Sequence, residues 1–78
     1  MNQKIMETDR MLHKANQIAL NFAAYPRPQA ISGIADHIKK FWTPMMRQQI
    51  ADYVNGGGQG LHELATDAVR TLAQKSIP

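Results

Sequence analysis

Apolar residues recur every three or four positions through most of the chain, and this spacing places them on one face of an α-helix. Four segments show the pattern, from about Glu7 to Ala24, from Pro28 toward Phe41, from Pro44 to Val54, and from about Leu61 to Gln74. Their predicted inner faces comprise Met11, Ala15, Ile18 and Phe22; Ile31, Ile34, Ala35 and Ile38; Met46, Ile50, Tyr53 and Val54; and Leu61, Leu64, Ala65, Ala68 and Leu72. No segment alternates apolar and polar residues as a half-buried strand does. The pattern predicts an all-α fold, a single small domain of about four short helices.

Residues that stop or start helices separate these segments. Two prolines within Tyr25–Pro28 prevent the first helix from continuing. Thr43 and Pro44 favour a sharp new start, because threonine caps helix N-termini and proline suits the first helical turn. Asn55–Gly60 contains glycines that tolerate the left-handed turn at a helix end. Gly33, inside the second segment, is expected to permit a close helix crossing.

Composition and charge narrow the class of protein. The 78 residues suffice for one domain, predicted to span residues 1–78 with flexible ends at residues 1–6 and 76–78. With no cysteine, the chain can hold no disulfide, thiolate zinc site or cysteine-ligated iron–sulfur cluster. No apolar run approaches the roughly 18 residues that a membrane span requires. The net charge of +3 comes from basic residues dispersed among acidic ones, so we expect no binding to nucleic acid. The lack of cysteine fits a cytoplasmic protein, and the lack of a long apolar run predicts no contact with membranes.

Side chains suited to catalysis or metal binding are few and dispersed. His13, His37 and His62 lie on three different predicted helices, and none has a partner histidine three or four residues away. Neither Ser32 nor Ser76 lies in the glycine-flanked turn of a serine nucleophile. We therefore expect no catalytic, cofactor-binding or metal-binding residues in this chain.

The densest cluster of large side chains surrounds the predicted start of the third helix. It comprises Phe41, Trp42, Met45, Met46 and Arg47. Aromatic, Met and Arg side chains are typical anchors of protein interfaces. Because consecutive helical positions fan around the axis, such a run cannot point into one small core as a whole. We predict that the cluster contacts a protein partner, with neighbours at His37 and Tyr53, while the sequence leaves open which members close the domain's own core.

A helix-turn-helix DNA-binding protein is the alternative interpretation of the same stretch. The break at Phe41–Pro44 would be the turn, and the next helix would present Arg47, Gln48 and Gln49, whose side chains can bond base edges. That helix is short, and Asp52 would face phosphates unfavourably. The pattern therefore favours contact with protein over contact with DNA.

Several short motifs, taken together, resemble one protein family. They are Ala15–Ala19, with the sequence ANQIA; Ala35–Ile38, with the sequence ADHI, followed by Phe41 and Trp42; Pro44, Met46 and Arg47; and Gly56, Gly57, Gly60 and Leu61. The combination is similar to the delta subunit of cytosolic NAD-dependent formate dehydrogenases that contain molybdenum or tungsten, over about residues 11–70. That family commonly carries an acidic and a basic residue beside the proline. This chain has Thr43 and Met45 there, which makes the cluster more apolar.

The resemblance implies a non-catalytic accessory subunit of a complex that oxidises formate to carbon dioxide and reduces NAD. Molybdopterin, iron–sulfur clusters and flavin would then reside in partner subunits. This chain would bind the molybdopterin-containing catalytic (alpha) subunit and support its assembly or stability. An assembly chaperone that is absent from the mature complex is an alternative of a different class. Asn16 and Gln17, in the matched motif of the first helix, are expected to hydrogen-bond the backbone of the break before Pro44.

Overall fold

Four α-helices follow one another through residues 7–75, the part of the chain that the computed structural model describes, with side chains placed as far as Ala73. They are α1 (Thr8–Phe22), α2 (Arg27–Phe41), α3 (Pro44–Asn55) and α4 (Glu63–Lys75). The predicted all-α fold is confirmed. The flexible ends predicted at residues 1–6 and 76–78 lie outside the described residues. Within residues 7–75, the helices are too short or too polar to cross a membrane.

One apolar core forms where the inner faces of the four helices meet. Its largest fully buried side chains are Met11, Ile34, Ile38, Ile50 and Val69. α4 packs against each of the other three helices, whereas α2 and α3 contact one another little although they are neighbours in sequence. Most of the buried residues lie on the predicted apolar stripes, so the periodicity of the sequence explains which face each helix buries.

The glycine within α2 receives an aromatic ring from α1. A β-carbon at Gly33 would lie 2.4 Å from Cε1 of Phe22, so any larger residue would displace the ring. Phe22 packs against the edge of the core, and its ring also lies near that of Tyr25, with centroids 5.8 Å apart. This close contact explains why α2 accommodates a mid-helix glycine, which costs about 1 kcal/mol relative to alanine.

The loop between α3 and α4 depends on the conformational freedom of glycine. Gly58 and Gly60 have φ angles of 64° and 85°, in the left-handed region that other residues rarely adopt. The Gly58 amide donates to the Tyr53 carbonyl at 2.9 Å and so closes the C-terminal end of α3. The predicted helix stop is confirmed.

The first residue of α4 differs from the prediction because a histidine caps this helix. α4 begins at Glu63, two residues beyond the predicted start at Leu61. Nδ1 of His62 accepts a hydrogen bond from the Leu64 amide at 3.1 Å. Histidine is outside the usual set of capping residues, so the capping rules did not predict this start.

Asn16 of α1 fixes the loop between α3 and α4. Its side-chain NH2 donates to the Gly60 carbonyl at 3.0 Å, and its side-chain oxygen accepts from the His62 amide at 2.8 Å. The expectation that Asn16 bonds a backbone is correct, but the wrong segment was predicted. Asn16 lies where α1 packs against α4, so it reaches this loop rather than the break before Pro44. Gln17, its neighbour, is exposed.

An ion-pair cluster connects the start of α2 to the start of α4. The Arg27 guanidinium hydrogen-bonds the Asp67 carboxylate and lies 3.8 Å from the Glu63 carboxylate. At the other end of α2, Lys39 shares a groove with Leu72 of α4. The two helices therefore run in the same direction. Exposed ion pairs contribute less than about 1 kcal/mol each, so the cluster adds little to stability.

Candidate partner-binding surface

Two extended residues separate α2 from α3 and set the directions of the side chains around the break. Trp42 has φ −97° and ψ 140°, and Thr43 has φ −68° and ψ 160°. The Thr43 hydroxyl accepts a hydrogen bond from the Met46 amide at 3.1 Å, so Thr43 caps α3 as predicted. Pro44 occupies the first turn, also as predicted. Backbone conformation and capping thus fix the start of α3, which makes few contacts with α2.

The predicted contact residues divide into an inner and an outer group. In the inner group, Trp42 is 7% exposed and belongs to the core, and Met46 packs against the edge of that core. Trp42 has an extended backbone, so its side chain does not point in the direction that the next helical position after Phe41 would give it. Trp42 therefore retains little surface that a partner can cover.

Phe41 and Met45 form the outer group, with 70% and 49% of their surface exposed. They flank the break four residues apart, so their α-carbons are separated by at most about 14 Å. The ring of His37, one helical turn before Phe41, lies against the phenyl ring, with centroids 4.8 Å apart and planes at 45°. We call Phe41, Met45 and His37 the joint surface.

The other two predicted contact residues lie elsewhere on α3. Arg47 is half-buried and lines a groove beside α4. Tyr53 is half-buried against the core, and its hydroxyl donates to the Gln59 carbonyl at 2.5 Å. Because eight residues of helix rise by about 12 Å, Tyr53 lies well along α3 from Met45. Tyr53 holds the glycine-rich loop, and the structure does not bring it to the joint surface.

A second pair of exposed apolar side chains lies near the end of α1. Leu20 is 59% exposed and Tyr25 is 56% exposed. They precede α2, whereas Phe41 ends it, and a helix of that length spans about 20 Å. This pair resembles the joint surface in size and exposure but is separated from it by the length of α2.

The three histidines serve different local roles. His13 is exposed on α1, His37 contacts Phe41, and His62 caps α4. Across residues 7–75, no group of three or more His, Asp or Glu side chains is placed to hold a metal ion.

The geometry around α3 does not favour the DNA-binding interpretation. Only two residues, Trp42 and Thr43, separate α2 from α3, whereas a helix-turn-helix motif uses a turn of about three or four residues. Among the residues proposed to read bases, Gln48 donates its side-chain amide to Asp52 at 2.9 Å, and Arg47 is half-buried. Gln48 is thus bonded within the domain and Arg47 is partly covered, so the two are not presented together to a groove of DNA.

The groove beside α4 is the feature that sequence reasoning missed. It brings Lys39 of α2 and Arg47 of α3 next to Leu72 of α4. The periodicity of α4 marks Leu72 as apolar, but no local signal shows which helix it meets. Only the tertiary arrangement identifies Lys39 as a candidate functional residue.

The fold is a small four-helix domain that exposes Phe41 and Met45 beside the break between α2 and α3. Residues 10–69 match the family model of the NADH-dependent formate dehydrogenase delta subunit, FdsD. The chain belongs to this family, as its motifs indicated. Comparison with curated proteins and with solved structures found no significant match.

Proposed function

We propose that this chain is a non-catalytic accessory subunit that binds the molybdopterin-containing catalytic (alpha) subunit of an NAD-dependent formate dehydrogenase through its joint surface. The proposal rests on the family match and on one structural observation. Phe41 is 70% exposed and lies directly before the extended break between α2 and α3. The Thr43 cap fixes the start of α3 on the other side of that break. Covering this ring with a partner contributes on the order of 1–2 kcal/mol from apolar burial alone.

The joint surface is suited to binding because little ordering is required of it. Phe41 and Met45 are attached to helix ends with defined backbone conformation, and His37 restricts the phenyl ring of Phe41. A ring restricted in this way loses less conformational entropy when a partner covers it, whereas the flexible Met45 side chain can adapt its shape to the partner. Trp42 and Met46, the sequence neighbours of Phe41 and Met45, pack in or against the core.

In this proposal the chemistry of formate oxidation belongs to other subunits. Molybdopterin, iron–sulfur clusters and flavin reside there, and this chain contributes contacts that support assembly or stability in the cytoplasm. The absence of cysteine agrees with this division, because the chain has no thiolate for an iron–sulfur cluster.

Replacing both outer residues, Phe41→Ala with Met45→Ala, is expected to abolish most co-purification with the tagged catalytic subunit, because the two exposed anchors are removed. The fold should persist, since neither side chain belongs to the core. Circular dichroism checks folding, and gel densitometry of the purified complex measures the ratio of the two chains.

Leu20→Ala with Tyr25→Ala is the matched control, because it removes equally exposed apolar side chains near the other end of α2. This control should co-purify like the wild type. If the Phe41 and Met45 variant is folded and co-purifies fully, the joint surface does not bind the catalytic subunit. If the wild-type chain is absent from the active, purified complex, a permanent subunit is ruled out in favour of an assembly chaperone.

A further inference from the structure

A groove with a cavity volume of about 420 Å³ adjoins the joint surface. It lies between the C-terminal end of α2, the length of α3 and the later turns of α4. Its apolar lining includes Ile50, Val69 and Leu72. The rest of the lining includes two basic residues, Lys39 and Arg47, and the side-chain amides of Gln48 and Asn55. We call this feature the α3–α4 groove.

The α3–α4 groove carries positive charge that no carboxylate within it balances. Lys39 and Arg47 line it, whereas none of its lining residues is acidic. Acidic residues nearby have other partners. Asp36 pairs with Lys40 at 3.9 Å, and Asp52 accepts a hydrogen bond from Gln48. A negatively charged ligand is therefore expected to bind this groove more favourably than a neutral one.

Arg47 has an unused donor in the isolated chain. Its Nε is buried and has no hydrogen-bond partner among the described residues, although the side chain as a whole is only half-buried. A buried N–H without an acceptor is unfavourable, and such groups in native structures usually indicate a missing partner. Because Nε itself is enclosed, a carboxylate in the groove would bond the terminal nitrogens of the guanidinium, which bind both oxygens of such a group.

We propose that the α3–α4 groove receives a segment of the catalytic subunit in which an Asp or Glu lies beside aliphatic side chains. The carboxylate bonds Arg47 and Lys39, and the aliphatic side chains cover the part of the apolar lining that is accessible, at Pro44, Ala51 and Leu72. The inference rests on the proposed function and adds the chemistry of the partner segment. Pro44, which lines the groove, directly precedes Met45 of the joint surface, so both features lie at the start of α3.

Binding of fluorescently labelled chain to the purified catalytic subunit, measured over a range of NaCl concentrations, tests this proposal. Arg47→Gln is expected to raise Kd by about tenfold and to flatten the salt dependence, because a partly buried charge pair is lost. Arg47→Lys should also weaken binding, since lysine keeps the charge but lacks the fork. Lys39→Gln should weaken binding in the same direction, whereas the control Lys14→Gln, at an exposed basic residue of α1 outside the groove, should leave Kd within about twofold.

The outcomes separate this inference from the function on which it rests. If Arg47→Gln and Lys39→Gln are folded and bind with wild-type Kd and salt dependence, the groove inference is overturned. The joint surface is still supported if the Phe41 and Met45 variant binds weakly. If the wild-type chain does not bind the catalytic subunit, both proposals are overturned. If sedimentation shows wild-type dimers that Arg47→Gln dissociates, a second copy occupies the groove and the inference is wrong.

Discussion

Trp42→Ala is expected to lower the free energy of unfolding by about 3–5 kcal/mol, the usual cost of removing a large buried aromatic side chain. Trp42 is 7% exposed and lies in the core at the end of α2. Small domains have a total stability of only about 5 kcal/mol, so the variant should retain at most about 2 kcal/mol. Urea denaturation followed by far-UV circular dichroism measures this loss.

Phe41→Ala is the matched control for the Trp42 prediction. The two aromatic residues are adjacent in sequence, but Phe41 is exposed, so its loss should change stability by no more than about 0.5 kcal/mol. Equal urea midpoints for Trp42→Ala and the wild type would show that the indole does not belong to the core. The comparison also has a practical consequence. Loss of partner binding in a Trp42 variant would report unfolding rather than a lost contact.

Asn16→Ala is expected to lower the free energy of unfolding by about 2–3 kcal/mol, because two hydrogen bonds are lost and the His62 amide is left without its acceptor. The loop between α3 and α4 should then open more often. Amide hydrogen exchange at His62 and Leu64 reports that opening, and urea denaturation reports the stability.

Two further variants define the role of Asn16 more closely. Gln17→Ala, one residue along the same motif but exposed, should change stability by at most about 0.5 kcal/mol. Asn16→Asp keeps an acceptor for the His62 amide but loses the donor to the Gly60 carbonyl, so its stability should be intermediate. If Asn16→Ala is no less stable than Gln17→Ala, the loop does not depend on this side chain.

The helices were predictable because local rules determine them. Periodic apolar residues define which face each helix buries, and Thr43 with Pro44 defines the start of α3. The start of α4 was misplaced for two reasons, an unusual capping residue and a tertiary contact. His62 caps that helix while its amide is held by Asn16 of α1, and no rule based on neighbouring residues includes a contact 46 positions away.

The candidate site was predictable in composition but not in geometry. The cluster around Pro44 contained too many large side chains for one small core, and the structure does expose Phe41 and Met45. Which aromatic residue turns inward depends on the extended conformation of Trp42, which ends the helical fan. The α3–α4 groove was not predictable, because Lys39 and Leu72 come together only when α2 and α4 pack in the same direction.

The burial of each residue determines which ones can be mutated to test partner binding. Trp42 and Met46 cannot be mutated to test binding without disturbing the core, whereas Phe41 and Met45 can. The central claim is therefore specific: a partner subunit covers the outer pair, and the inner pair stays inside the domain in both the free and the bound state.

Methionine methyl NMR tests this claim most directly. The chain would carry ¹³C-labelled methionine methyl groups and would be titrated with the unlabelled catalytic subunit. The account predicts that the Met45 methyl signal shifts on binding, because a partner covers it, while the signal of Met11, which is buried in the core, keeps its position. An unchanged Met45 signal in a complex shown to have formed would contradict the account.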